Sequence, residues 1–232
     1  MNKPYIICHM VASINGKILT ENWEHPQKVK QYSALYNKIH EDYHTQGWIL
    51  GRVSLEKDFY EGAKAELIQP TNTMSRAPFI GDKTAKSFAV TVDTKGKLAW
   101  DTNEIGGDHI IAVLTEDVSD DYLYYLQRKK ISYVFAGKKE VDIKKALHHL
   151  TTLFPIKQLM LEGGSILNGT FLNEGLIDEF SVLIVPIADG TPNTPTVFEI
   201  TNQAGKGKAA LLKLAGVEKL AGDVVWLRYV SK

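Results

Sequence analysis

The sequence predicts an α/β protein with a mixed, mostly parallel sheet flanked by helices, and three observations carry that expectation. Strand-like and helix-like segments alternate from end to end. Several strand-like segments are short, continuous apolar runs of the kind that lie buried on both faces in a parallel sheet. The chain closes on two apolar stretches, Ala209 to Leu214 and Val224 to Val230, separated by Ala221-Gly222-Asp223, which suits an antiparallel hairpin at one edge. No low-complexity linker or internal repeat interrupts the 232 residues, so one domain over 1–232 is expected.

The first strand is expected at about Tyr5 to Val11, followed by an Asn15-Gly16 turn and a short strand at Lys17 to Leu19. After Pro26 the residues Val29, Tyr32, Leu35, Tyr36, Ile39 and Tyr43 repeat at helical spacing and mark the buried face of a long helix. Gly47 to Gly51 reads as a buried strand, and Arg52 to Asp58 as a loop or first helical turn where ligands bind in α/β sheets. From Glu61 to Thr84 an irregular excursion rich in Gly, Pro and Asn is expected, with one short helix. Strands follow at Ser87 to Val92, His109 to Leu114, Ile131 to Phe135 and Glu179 to Val185, with helices at Asp120 to Arg128 and Asp142 to Leu153.

The run from Leu159 to Gly169 carries the most chemistry: an apolar strand ends in Glu162, a Gly163-Gly164 pair follows, and a helix begins. Paired glycines let backbone N–H groups approach an anion closely, and the positive end of the helix favours negative charge there. A phosphorylated cofactor or substrate is the expected ligand, with Glu162 at the carboxyl end of the strand, where reacting groups sit. A Gly-Gly turn can equally be a plain tight connection.

Composition narrows the classes. The 27 basic and 27 acidic residues cancel, so no global field draws nucleic acid or a membrane surface. No apolar run approaches the roughly 20 residues of a membrane span, and the N-terminus shows no signal-peptide pattern, which makes the cytoplasm the expected location. Cys8, the single cysteine, excludes an intrachain disulfide and a multi-cysteine zinc site, and its apolar surroundings mark it as core. None of the seven histidines shows metal-ligand spacing, so no metal is expected.

Three segments resemble the pyrimidine reductases of riboflavin biosynthesis, the C-terminal half of the bacterial deaminase-reductase. Met10 through Ile18 is similar to that family's S-[IVL]-D-G-[KR]-[IT] element, and Leu50 through Asp58 to its G-x-x-T-x-x-x-D element. Leu161-Glu162-Gly163-Gly164 through Leu176-Ile177-Asp178-Glu179-Phe180, and Pro186 to Gly190, resemble the E-G-G…G-L-[IV]-D-E…P…G signature. The resemblance implies a dihydrofolate-reductase-like single domain, NADPH as hydride donor, a homodimer, and reduction of the ribose of a phosphoribosylamino-pyrimidine to ribitol. The zinc deaminase signature cannot be built with one cysteine, so reduction alone is expected. Other small-molecule reductases of this fold, including dihydrofolate-type ones, and a non-catalytic NADP-binding module are the competing readings.

Carried over by motif, Ala12 and Gly16 would border the nicotinamide, Gly51, Ser54 and Asp58 would lie near the cofactor phosphates, and Gly163, Gly164, Ser165, Ile166, Leu167 and Asn168 would cradle the pyrophosphate. Glu162, Lys17 and Asn15 would do the polar work of catalysis. Asn15 stands where the family has aspartate. Helix capping is the competing role for Asp58. Thr94 and Lys95 are expected at the adenosine 2′-phosphate, and Arg52 and Arg76 at a substrate phosphate.

Overall fold

A computed structural model describes residues 2–60, 62, 64–200 and 207–232. The chain divides into two compact units, each assembled from separate stretches of sequence: Gln46–Leu159 with the residues up to Pro4, and Tyr5–Thr45 with Met160–Lys232.

The first unit is built on parallel strands β2 (Gly47–Gly51), β3 (Phe88–Val92), β5 (Asp108–Leu114) and β6 (Ser132–Phe135), paired in that order. Register sets Ile49 beside Val90, Val90 beside Ile111, and Val113 beside Val134. Every residue of β5 from Ile110 to Leu114 has no exposed surface, which is why these strands read as unbroken apolar runs rather than alternating ones. Helices α3 (Asp120–Arg128) and α4 (Ile143–Leu153) contribute Leu123, Leu126, Leu147 and Leu150 to the core, all fully buried. Asp142 caps α4 by accepting the Lys145 N–H at 3.0 Å. A two-residue strand, β4 (Glu104–Ile105), pairs antiparallel with β5, too short for a periodic signal to disclose. Strand β7 (Gln158–Leu161) carries the chain out of this unit and into the second.

The second unit pairs β1 (Tyr5–Ser13) with β8 (Glu179–Val185) in parallel, Cys8 beside Phe180. Strand β10 (Val225–Ser231) runs antiparallel to β8, and β9 (Leu212–Lys219) antiparallel to β10. Helix α1 (Pro26–Asp42) starts on a proline at its first turn, where the missing N–H costs nothing. It buries Tyr32 and Ile39 against Leu183, Val185, Val224 and Trp23, with Val29, Leu35, Tyr36 and Tyr43 packed around them. That is the apolar stripe read from the sequence.

Four expectations need correction. Arg52 to Asp58 is a full helix, α2 (Arg52–Phe59), begun from an extended Gly51 and carrying no glycine or proline inside. Lys17 to Leu19 forms only an isolated bridge between Lys17 and Thr196. The excursion after Tyr60, whose Glu61 and Ala63 lie outside the described residues, contains no helix among the residues described and meets β6 through a Phe79–Tyr133 bridge. The hairpin's first strand lies later than expected, because β9 is an outer strand with exposed, polar-interrupted residues, so apolar content locates it poorly.

Helix α5 (Ser165–Asn173) carries an unusually close backbone contact. A Cβ on Gly169 would lie 2.0 Å from the Glu199 carbonyl oxygen. Gly169→Ala should therefore push the 197–199 segment off the helix and destabilise the protein by roughly 1–3 kcal/mol. Gly190→Ala, where no atom lies within 4 Å of the added methyl, should leave the thermal midpoint nearly unchanged. Equal midpoints for the two variants in thermal denaturation would refute the close approach.

Candidate active site

Chemistry-bearing side chains of the second unit gather around two turns. In the turn after β1, buried Ser13 donates through its hydroxyl to Asn15 Oδ1 at 2.9 Å and accepts the Lys17 N–H at 2.9 Å. Gly16 supplies the positive φ, +83°, that the turn requires. Asn15 then reaches across to the next loop, donating from Nδ2 to the Asp189 carbonyl at 2.8 Å and accepting the Asp189 N–H at 3.1 Å. An amide can do both, whereas an ionised aspartate is only an acceptor. Lys17 Nζ donates to the Thr194 carbonyl at 2.6 Å. The Asp189 carboxylate lies below the usual carboxylate range because Thr191 donates to it from hydroxyl and N–H, with the Trp23 indole and the Lys17 charge adding to the effect. Thr196 and Lys17 depress Glu199 in the same way. Asn15 and Lys17 are thus both engaged with the loop at 189–199.

The glycine pair sits at the start of α5, with Gly164 as the extended N-cap residue, Gly163 at φ 112°, and a cis peptide between them. The first helical hydrogen bond runs from the Asn168 N–H to the Gly164 carbonyl at 3.0 Å. The N–H groups of Gly164, Ser165, Ile166 and Leu167 come before it, and among the described residues none has a protein acceptor. The neighbouring 197–199 segment bonds to α5 without using them: Glu199 N–H donates to the Ser165 carbonyl at 3.0 Å, and Asn168 Nδ2 to the Val197 carbonyl at 3.0 Å. Asn168 is fully buried, and among the described residues its Oδ1 has no partner. This helix start has glycines for close approach and free donors for an anion.

Just before the glycines, Glu162 Oε1 lies 2.7 Å from Nδ1 of His40, in the last turn of α1. The two residues are 122 positions apart, and no spacing rule in the sequence links them. Beneath them, His9 on β1 has no exposed surface. Its Nε2 lies 3.1 Å from the Tyr36 carbonyl. Its Nδ1 lies 3.0 Å from the Ser181 hydroxyl and 3.3 Å from the Ser181 carbonyl, and Ser181 Oγ accepts the Trp226 indole N–H at 2.8 Å. The ring stacks on Tyr36 with centroids 4.2 Å apart. Burial raises the pKa of the Cys8 thiol, and the Glu162 charge pushes it further the same way, so Cys8 is an inert core residue as expected.

In the first unit, the sequence-selected residues sit at the carboxyl ends of β2 and β3. Gly51 ends β2; Arg52 and Ser54 lie in the first turn of α2, and Arg52 donates to Glu56 at 2.5 Å. Asp58 lies in the last turn of α2, and the N-cap is Gly51, so the capping role for Asp58 is corrected. Thr94 and exposed Lys95 follow β3 in a turn organised by Asp93, which the sequence reading did not single out. Asp93 is fully buried, and its Oδ2 accepts the Lys97 N–H at 2.7 Å, the Leu98 N–H at 2.9 Å and the Tyr122 hydroxyl at 3.1 Å. The Asp-Thr-Lys-Gly pattern, an Asx-turn signature, was the available signal. Arg76 is tied to α3 and its approach: it pairs with Asp120 at 2.6 Å and donates to the carbonyls of Met74, Glu116 and Val118. Among the described residues no group of three or more His, Cys, Asp or Glu stands ready to hold a metal, and no helix is long and apolar enough to cross a membrane.

Burial gives His9 a testable pH signature. Desolvation lowers its pKa, so the folded ring stays neutral where the unfolded chain already binds a proton. Stability should be complete above the ordinary histidine value of about 6.5 and decline as pH falls below it towards the folded value, by up to about 1.4 kcal/mol per pH unit for one such group. His109 and His149, both lowered chiefly by burial, add in the same direction. His9→Asn should flatten the slope of urea midpoint against pH between roughly 7.5 and 5.5. An unchanged slope would refute the assignment.

The chain is 40% identical over 98 residues to the 2,5-diamino-6-ribosylamino-4(3H)-pyrimidinone 5′-phosphate reductase of Methanothermobacter thermautotrophicus, covering 42% of this chain and 45% of that one. It is 30% identical over 87 residues to the protein of the same name from Aquifex aeolicus, covering 38% of each. The matched region spans less than half the length of either relative. Among solved structures, a pyrimidine reductase-like protein from Corynebacterium diphtheriae superposes with a TM-score of 0.67 at 13% identity, covering 99% of this chain and 92% of that one. This likeness establishes the shared α/β fold, with its mostly parallel sheet and antiparallel C-terminal strands. The family model for the RibD C-terminal domain matches residues 4–226, and the chain belongs to that family.

Proposed function

We propose that this chain is an NADPH-dependent reductase that converts the ribose of a phosphoribosylamino-pyrimidine to ribitol. One observation carries the reading: four N–H groups at the start of α5 have no protein acceptor among the described residues, and the Glu162 carboxylate stands directly before them. Family membership and the names of the two partly matching relatives support the substrate class.

The residues present fit a dinucleotide phosphate. Gly163 and Gly164 carry no side chain to obstruct it, and the helix start favours its charge. Ser165, Ile166 and Leu167 would contribute N–H donors, Asn168 would support the helix start from within, and Ala12 and Gly16 would border the nicotinamide. When bound, NADPH supplies the hydride. The chain's own task is to orient the open-chain imine of the substrate, exclude water and hold a proton for the imine nitrogen, so that carbon gains hydride as nitrogen gains the proton. Glu162 is assigned that proton. Lys17, held by Thr194 and facing Asp189 and Glu199, is assigned an electrostatic role beside it. In the first unit, Gly51, Ser54, Thr94 and Lys95 keep their assignment to cofactor phosphates, with Lys95 the exposed cation for a 2′-phosphate. A homodimer belongs to the same proposal, and the exposed apolar Leu214 and Val217 on β9 support it.

Purified protein should oxidise NADPH when given 2,5-diamino-6-ribosylamino-4(3H)-pyrimidinone 5′-phosphate, with dihydrofolate as the competing substrate. Glu162→Gln should lower kcat by about 10²- to 10⁴-fold with little change in NADPH affinity. Absence of saturable NADPH binding in a fluorescence titration, or turnover of dihydrofolate alone, would reject the reading.

A further inference from the structure

We propose that His40 is a positioning residue for Glu162: its Nδ1 holds Oε1 in place and leaves Oε2 for the substrate. The inference rests on the reading of Glu162 as the proton-holding carboxylate. A glutamate side chain has three rotatable torsions, and reduction of an imine needs its oxygen placed to within a fraction of an ångström. Glu162 lies just past the end of β7 and outside any strand pairing, so its position must come from elsewhere.

The surroundings leave His40 as the group that can do this. Its Nδ1 is 2.7 Å from Oε1, with 27% of the His40 side chain and 11% of the Glu162 side chain exposed. The other histidine nearby, His9, has one nitrogen committed to Tyr36 and the other to Ser181. Cys8 is a fully buried thiol on β1 whose pKa burial raises, so it offers only a weak donor. With Oε2 left to hold the proton for the substrate, Oε1 only accepts, so Nδ1 carries the hydrogen, which fixes the imidazole tautomer whenever the ring is neutral.

The placement of α1 makes the contact reproducible. Tyr36, one turn before His40, donates its hydroxyl to the His9 carbonyl at 3.3 Å and gives its own carbonyl to the His9 ring. Ile39, the residue before His40, is buried in the core shared with β8. The helix therefore cannot rotate His40 away from Glu162 without breaking both.

Nitrogen position decides the test. Asparagine places its amide nitrogen where Nδ1 stands, so His40→Asn should retain kcat within about threefold, while His40→Ala should lower it about 10- to 100-fold with NADPH affinity and thermal midpoint little changed. In a Glu162→Ala background the His40→Ala loss should disappear. Long-range proton–nitrogen NMR on the full chain should show the hydrogen on His40 Nδ1, and Glu162→Ala should change that pattern. An unchanged kcat in His40→Ala, a full His40→Ala loss in the Glu162→Ala background, or a His40 spectrum indifferent to Glu162→Ala would overturn the proposal. If neither substrate is turned over while the NMR coupling is present, the catalytic reading fails and the His40–Glu162 contact stands; turnover with no coupling has the opposite meaning.

Discussion

A buried histidine in the middle of a parallel strand pair fixes the second unit. His9 has both ring nitrogens satisfied, one by the main chain of α1 and the other by Ser181 of β8, and Ser181 in turn accepts from Trp226 of β10. A chain of polar groups in a dry interior is favourable only when every member is paired, and shifting any strand by one residue would leave several without partners. The interaction thus selects the register that puts Cys8 beside Phe180 and His9 beside Ser181. It also holds α1 against β1 at Tyr36, one turn before His40.

A second constraint governs the loop at 189–199. Asn15 and Lys17 bind it from the β1 turn, Thr191 and Trp23 secure Asp189, and Gly169 and Asn168 admit its far end against α5. This loop approaches the helix without touching its first-turn amides. The carbonyl of Ser165 and the side chain of Asn168 take the contacts, so among the described residues the first-turn N–H groups keep no protein acceptor. Small residues at Gly163, Gly164 and Gly169 serve two needs: the first two keep one side of the helix start clear, and the third lets the loop close on the other.

Much of this architecture was legible in the sequence because it follows from local chemistry. The α3 bounds, Asp120–Arg128, and the β8 bounds, Glu179–Val185, came directly from periodicity and from turn residues at their ends. The strand–Gly-Gly–helix order at Leu161 to Ser165 was readable for the same reason: glycine freedom and helix starts are properties of neighbouring residues. Four things were hidden. Strand β9 is an outer strand whose exposed residues break the apolar pattern, and β4 is two residues long. Asp93 was not singled out from the sequence, yet its carboxylate organises the Asp93–Leu98 turn from a fully buried position. His40 was invisible because its significance lies in Glu162, far away in sequence and brought near only by the packing of α1.

Asn15 joins the β1 turn to the loop at 189–199. The family resemblance places aspartate at this position, and an aspartate there could contribute charge. In this chain the amide spends its donor on the Asp189 carbonyl and its oxygen on the Asp189 N–H and the Ser13 hydroxyl, three bonds that an ionised carboxylate could not all make. The exchange converts a charged turn into a neutral clasp between β1 and the loop at 189–199, while Lys17, two residues on, already faces Asp189 and Glu199 from that loop. Negative charge at this side of the unit is therefore supplied by the loop, in carboxylates kept ionised by Thr191 and Thr196. In the proposed reaction the proton is therefore assigned to a different carboxyl group, that of Glu162, which precedes the start of α5 and lies 2.7 Å from His40.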